Sequence, residues 1–108
     1  MMALIRRFER SVEEVERSVS KLSRVEELKL YGLMKQGYFG DNATPRPWFF
    51  QFDASAKWDA WTAEKGKSMI SSKSEHIGLS FKILHDVAKS KTISSTSKVE
   101  TNDEQATK

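Results

Sequence analysis

Residues 28–66 read LKLYGLMKQGYFGDNATPRPWFFQFDASAKWDAWTAEKG and hold all three tryptophans, both tyrosines, both prolines and four of the six phenylalanines of the chain. Tyr31, Met34 and Lys35 stand at i, i+3 and i+4, which places an aromatic ring, a thioether and an ammonium group on one helical face. Lys57, Trp58 and Trp61 repeat that mixture on a second predicted helix. Two such faces can enclose a groove with cationic rims and an apolar floor. Between them, Thr44-Pro45-Arg46-Pro47 is excluded from helix interior, because proline lacks a donor and drives its predecessor toward extended backbone. Trp48, Phe49, Phe50 and Phe52 follow at once, and this aromatic loop is expected to fold over and cap the core. Arg46 is expected to pin the loop to a carboxylate such as Asp41 or Asp59.

On the N-terminal side, Phe8, Val12, Val15, Val19 and Leu22 recur at helical spacing, with Leu4 and Ile5 a turn earlier. This first helix is expected to fray at its start and to end among Ser18 to Ser23. The second begins near Arg24, weakens at Gly37 and Gly40 and closes at Asp41-Asn42. Ser55 is the expected N-cap of a third helix running through Lys65, with Gly66 as its stop. A fourth is expected from Ser71 or Ser72 to about Lys89. Its stripe is read as Ile77, Phe81, Leu84 and Ala88, widened by Ile83 and Val87. Residues 90–108 are polar and poor in aromatics and are expected to be a disordered tail. The reading is all-α: a four-helix domain over residues 1–89 with a long aromatic loop between helices two and three.

Composition narrows the function classes. A chain of 108 residues allows one small domain. With no cysteine, disulfide frameworks, thiolate metal sites and cysteine nucleophiles are excluded. His76 and His85 lie too far apart, without neighbouring carboxylates, to suggest a metal site. No apolar run approaches the roughly 20 residues that span a bilayer, and the opening MMALIRRFER is too charged for a secretory signal, so a cytoplasmic protein is expected. A net charge of +3 assists an anionic ligand without demanding nucleic acid, and no helix has a uniformly basic face. No nucleophile-and-base constellation marks an enzyme.

Three runs, LKLYGLMKQ, GDNATPRP and AKWDAWTAEKG, occur in order and with matching spacing. Together they resemble the acyl-CoA-binding protein family, with weaker apolar matches from Phe8 to about Val87. The resemblance implies a four-helix fold that binds one long-chain fatty acyl-CoA, acts as a monomeric intracellular carrier and pool former, and performs no chemistry on its ligand. It implies no cofactor and no metal. Partners would be acyl-CoA itself and enzymes that make or consume it. By the same resemblance Tyr31, Lys35 and Lys57 engage the adenine and the 3'-phosphate, while Leu28 and Ala56 lie along the acyl path. Trp58 and Trp61 are core or groove wall. Three positions depart from the family pattern. Met34 and His76 stand where tyrosines are usual, and Glu16 stands where a basic residue is common. His76 is expected to donate to phosphate and to tighten binding at about pH 6 relative to pH 8. The alternative is a helical adaptor that keeps the fold with altered or lost ligand binding.

Overall fold

The computed structural model describes the backbone of residues 1–96 and the side chains of residues 1–87. Four helices follow one another: α1 (Met2–Ser18), α2 (Arg24–Phe39), α3 (Phe52–Thr62) and α4 (Met69–Thr96), with a 3-10 turn at Val19–Lys21 after α1. No strand occurs among the described residues, so the all-α expectation holds. None of these helices is long and apolar enough to cross a membrane. α4 continues to Thr96, beyond the expected end at Lys89, so the first residues assigned to a tail are helical. The rest of that expected tail, 97–108, lies outside the described residues.

Local chemistry sets the helix ends. Ser23 and Glu26 form a reciprocal capping box on α2, each side chain closing on the other's backbone N–H at 3.1 and 2.9 Å. Glu26 and Glu27 also place negative charge at the positive end of the helix dipole. Gly40 ends α2 at φ +80°, in the left-handed region open to glycine. α3 begins four residues earlier than expected, with Gln51 and not Ser55 at its N-cap. Gln51 closes the preceding turn from both sides: its N–H donates to the Trp48 carbonyl at 2.9 Å, and its Oε1 accepts from the Trp48 N–H at 3.2 Å. Ser55 is instead buried inside the first turns of α3.

α2 is the central element, packed on α3 along one side and on α4 along the other, while α1 lies on α4. Phe8, Val12, Leu30, Leu33 and Ile83 form the apolar core. The inner face of α4 is Ser72, His76, Ser80 and Ile83, not the expected stripe through Ile77 and Phe81, and Phe81 is 72% exposed. Serines can line this seam because a hydroxyl can bond to its own helix. Ser80 Oγ donates to the Ile77 carbonyl at 3.0 Å, and Ser11 Oγ on α1 donates to the Phe8 carbonyl at 2.7 Å. Their small volume brings the helices close.

The loop from Gly40 to Gln51 is braced along its base. Arg46 forks onto Asp59, Nε and Nη2 donating at 3.1 and 2.9 Å, which is the pinning role expected for it. Trp58 Nε1 donates to the Thr44 carbonyl at 3.0 Å and Trp61 Nε1 to the Gly40 carbonyl at 2.8 Å. Asp41 accepts from Gln36 Nε2 and from the Gly66 N–H, which holds its carboxyl below the usual carboxylate range. The tip of the loop corrects the sequence reading. Trp48, Phe49, Phe50 and Phe52 are 70%, 78%, 60% and 78% exposed, so they do not cap the core. The rings of Trp48, Phe49 and Phe50 pack on one another instead.

Candidate functional site

Tyr31 and Lys35 stand one turn apart on α2, and Lys57 approaches them from α3. The Lys57 and Lys35 ammonium groups lie 5.6 and 6.0 Å from the centre of the Tyr31 ring. Lys35 also lies 4.7 Å from the Phe39 ring and 4.9 Å from that of Trp61, a cation held by aromatic faces. Among the described residues it makes no ion pair with a carboxylate. Lys57 is paired with Asp53, one turn earlier, at 3.1 Å. Asp53 also accepts from Arg24, and the Arg24 and Lys57 hydrogen bonds hold its carboxyl below the usual range. With Asp53 shared by Lys57 and Arg24 and no carboxylate on Lys35, the cluster keeps net positive charge.

The close approach of α3 to α2 makes this meeting possible. A side chain at Gly32 would collide with the backbone carbonyl of Ala60, so only glycine lets the two helices come together beside Tyr31. A buried carboxylate ties the same contact from the far end of α3. Glu64 pairs with Lys29 and with Lys67, each at 2.7 Å. Burial alone would push the Glu64 carboxyl up, but hydrogen bonds from Lys29 and Lys67 outweigh it and hold the group below its ordinary value.

Three cavities surround these residues. One of about 470 Å³ lies between α2, α3 and the loop and is lined by Tyr31, Lys35, Pro47, Lys57, Trp58 and Trp61. A second, of about 300 Å³, opens on the other side of Tyr31 and Lys57, among Val12, Val15, Leu30, Met34 and His76, with the carboxylates of Glu16 and Glu27 also on its wall. A third, of about 460 Å³, runs along α2 and α3 past Leu28 and Ala56. Five of the residues picked out from sequence, Tyr31, Met34, Lys35, Lys57 and His76, therefore line two adjoining cavities that share Tyr31 and Lys57. Leu28 and Ala56 both line the third.

His76 differs from the expectation in its chemistry. It is 1% exposed, its Nδ1 lies 2.8 Å from Ser11 Oγ, and its ring meets Phe8 edge-on at 5.3 Å. Ser11 Oγ also lies 2.7 Å from the Phe8 carbonyl, so imidazole, hydroxyl and carbonyl form one buried hydrogen-bonded chain. Burial pushes the imidazole down to about 4. At that value the ligand-free imidazole is neutral from pH 8 to pH 6, in contrast to the gain of charge expected from the sequence.

Sequence reasoning passed over Gly32, Asp53 and Glu27. A glycine in mid-helix between Tyr31 and Leu33 was the available signal of a close backbone approach. Asp53 gave none, because its pairing with Lys57 depends on where α3 starts. As a whole, the arrangement offers two ammonium groups and a phenol at the junction of two partly apolar cavities. It suits an anion attached to flat or apolar groups. Among the described residues, no group of three or more His, Cys, Asp or Glu side chains is placed to hold a metal ion.

Comparisons with known proteins agree with this architecture. The family described as Acyl CoA binding protein matches residues 6–80. An acyl-CoA-binding protein of Dictyostelium discoideum is 42% identical over 72 residues, covering 67% of this chain and 86% of that protein. Acyl-CoA-binding domain-containing protein 6 of Arabidopsis thaliana is 41% identical over 90 residues, covering 83% of this chain and 97% of the relative. The crystal structure of Oryza sativa acyl-CoA-binding protein 2 superposes with a TM-score of 0.76 at 33% identity, over 81% of this chain and 95% of that one. The matched span takes in α1 to α3 and the first half of α4, with the Tyr31, Lys35 and Lys57 cluster inside it, and the chain belongs to the acyl-CoA-binding protein family.

Proposed function

We propose that the protein binds one long-chain fatty acyl-CoA and carries it, unreacted, as a monomeric cytoplasmic pool former between enzymes that make and consume such esters. The observation that carries this reading is the convergence of Lys35 and Lys57 on Tyr31 at the border of two cavities. Two ammonium groups and a phenol can surround a phosphate dianion with charge-assisted hydrogen bonds. The base would then lie in the cavity walled by Met34 and His76, where the thioether packs a flat ring. The acyl chain would follow Leu28 and Ala56 between α2 and α3.

Nothing in this scheme turns over the ester. Ser11 and His76 are hydrogen-bonded but only 6% and 1% exposed, so the serine is not presented to an ester. Binding draws on two separable contributions. Each acyl methylene removed from water contributes about 0.8 kcal/mol, and the lysine cluster tells an acyl-CoA from a fatty acid. Calorimetric titration with palmitoyl-CoA, palmitate and free CoA tests both. The expected result is one-to-one binding of palmitoyl-CoA, feeble binding of the other two, and a loss of about tenfold or more in Lys35→Ala, as for a charged hydrogen bond. No heat with any acyl-CoA would leave the adaptor reading in its place.

A further inference from the structure

Pro47 to Phe52, Pro-Trp-Phe-Phe-Gln-Phe, contains no charge, and its four rings are 60–78% exposed. Three of them, those of Trp48, Phe49 and Phe50, gather on one another. Trp48 and Phe50 stack at 6.2 Å with their planes 8° apart, and Phe49 meets Phe50 edge-on at 5.6 Å. Beneath them the Arg46–Asp59 fork, the Trp58 bond to Thr44 and the Gln51 turn fix the backbone. The result is a preformed apolar prominence, so that engaging a surface costs little ordering.

We propose that this prominence docks the protein on a phospholipid bilayer, with the rings of Trp48, Phe49 and Phe50 entering the zone between headgroups and acyl chains. Three features favour a bilayer over a protein partner. The segment has no charge with which to select a complementary patch, whereas aromatic rings with one polar edge settle at membrane interfaces without any. Four aromatic side chains at this exposure offer about 400–700 Å², less than the roughly 800 Å² each partner brings to a stable protein interface. A protruding cluster also needs a matching hollow in a protein, while a fluid lipid surface adapts to it. The prominence adjoins the ligand site through Pro47 and Trp58, which line the cavity of Lys35 and Lys57. Docking therefore brings that opening to the lipid surface.

The test uses the ligand-free full chain and sucrose-loaded vesicles of phosphatidylcholine alone, so its outcome does not depend on the acyl-CoA reading. Wild type is expected to sediment with the vesicles in proportion to lipid, and equally after addition of salt. The combined variant Trp48→Ser, Phe49→Ser, Phe50→Ser is expected to partition more than about tenfold less. Its circular dichroism and thermal midpoint should match wild type, since the rings support no core. Wild type remaining in the supernatant, or the variant partitioning equally, overturns the proposal. So does binding confined to phosphatidylserine vesicles and abolished by salt, or ring-dependent self-association without lipid binding.

Discussion

α2 meets its neighbours on two sides, each contact passing through a glycine, and the two contacts are built differently. At Gly32 the space where a side chain would stand is filled by the Ala60 backbone, with the carbonyl carbon at 2.8 Å. At Gly37 it is filled by side chains, Phe8 Cζ at 2.9 Å and Lys73 Cγ at 3.3 Å. A ring and a lysine stem can shift by a few tenths of an ångström, whereas a helix backbone cannot without moving the helix. The α3 side is thus a fixed spacing that holds Lys57 against Tyr31. The α1 and α4 side is an adaptable packing of small and polar residues around the cavity of His76.

The largest effect follows directly. Gly32→Ala is expected to lose about 3 kcal/mol or more of stability and to weaken ligand binding with it, because α3 must back away. Gly37→Ala is expected to cost about 1 kcal/mol or less, since the gain in helix propensity offsets much of the crowding. Urea unfolding of the two variants checks this. Equal losses would mean that both sides of α2 are equally rigid, and the contrast would fall.

The next largest concerns His76, whose burial places its folded pKa at about 4, below the ordinary value of 6.5. The unfolded chain therefore binds more protons than the folded one below that value. Stability is complete above about pH 6.5 and declines as pH falls toward 4, by roughly 2–3 kcal/mol. The upper part of this window lies above that of Glu64, whose contribution begins to fall only as pH approaches its ordinary value of 4.5. His76→Phe keeps a ring beside Phe8 and removes the titrating group. Thermal midpoints of this variant are expected to stay nearly level from about pH 6.5 to 5, while those of wild type fall. Parallel curves would show that the seam tolerates a buried imidazolium.

How legible each side was in the sequence follows from the same contrast. Tyr31, Lys35 and Lys57 could be grouped beforehand because i, i+4 spacing and a recognisable run fix their faces, and the helices do bring them together. The α4 face was misread because serine counts as polar in any apolar pattern, yet Ser80 satisfies its hydroxyl within its own helix and packs like a small residue. Phe81 counts as apolar and has nowhere to go. The aromatic loop was misread for a related reason. Hydrophobicity predicts burial only where a surface is available, and Trp48, Phe49 and Phe50 meet only one another. Burial and hydrogen bonding depend on tertiary placement, which periodicity does not encode.

The smallest effect probes the adaptable side alone. Glu16 on α1 and Glu27 on α2 line the cavity that adjoins the lysine cluster, so an anionic head group entering there meets two carboxylates before it reaches Lys57. Glu16 is exposed, and its repulsion is screened by water and salt, so Glu16→Lys is expected to tighten palmitoyl-CoA binding by about two- to fivefold at low ionic strength. The gain should shrink in high salt and should appear by the same factor for free CoA, because the charge acts on the head and not on the acyl chain. Stability should be unaffected. Calorimetry at two salt concentrations decides it. No change at low salt would place the anion wholly on the α3 side of Tyr31, and the cavity of Met34 and His76 would then take no part in recognising charge.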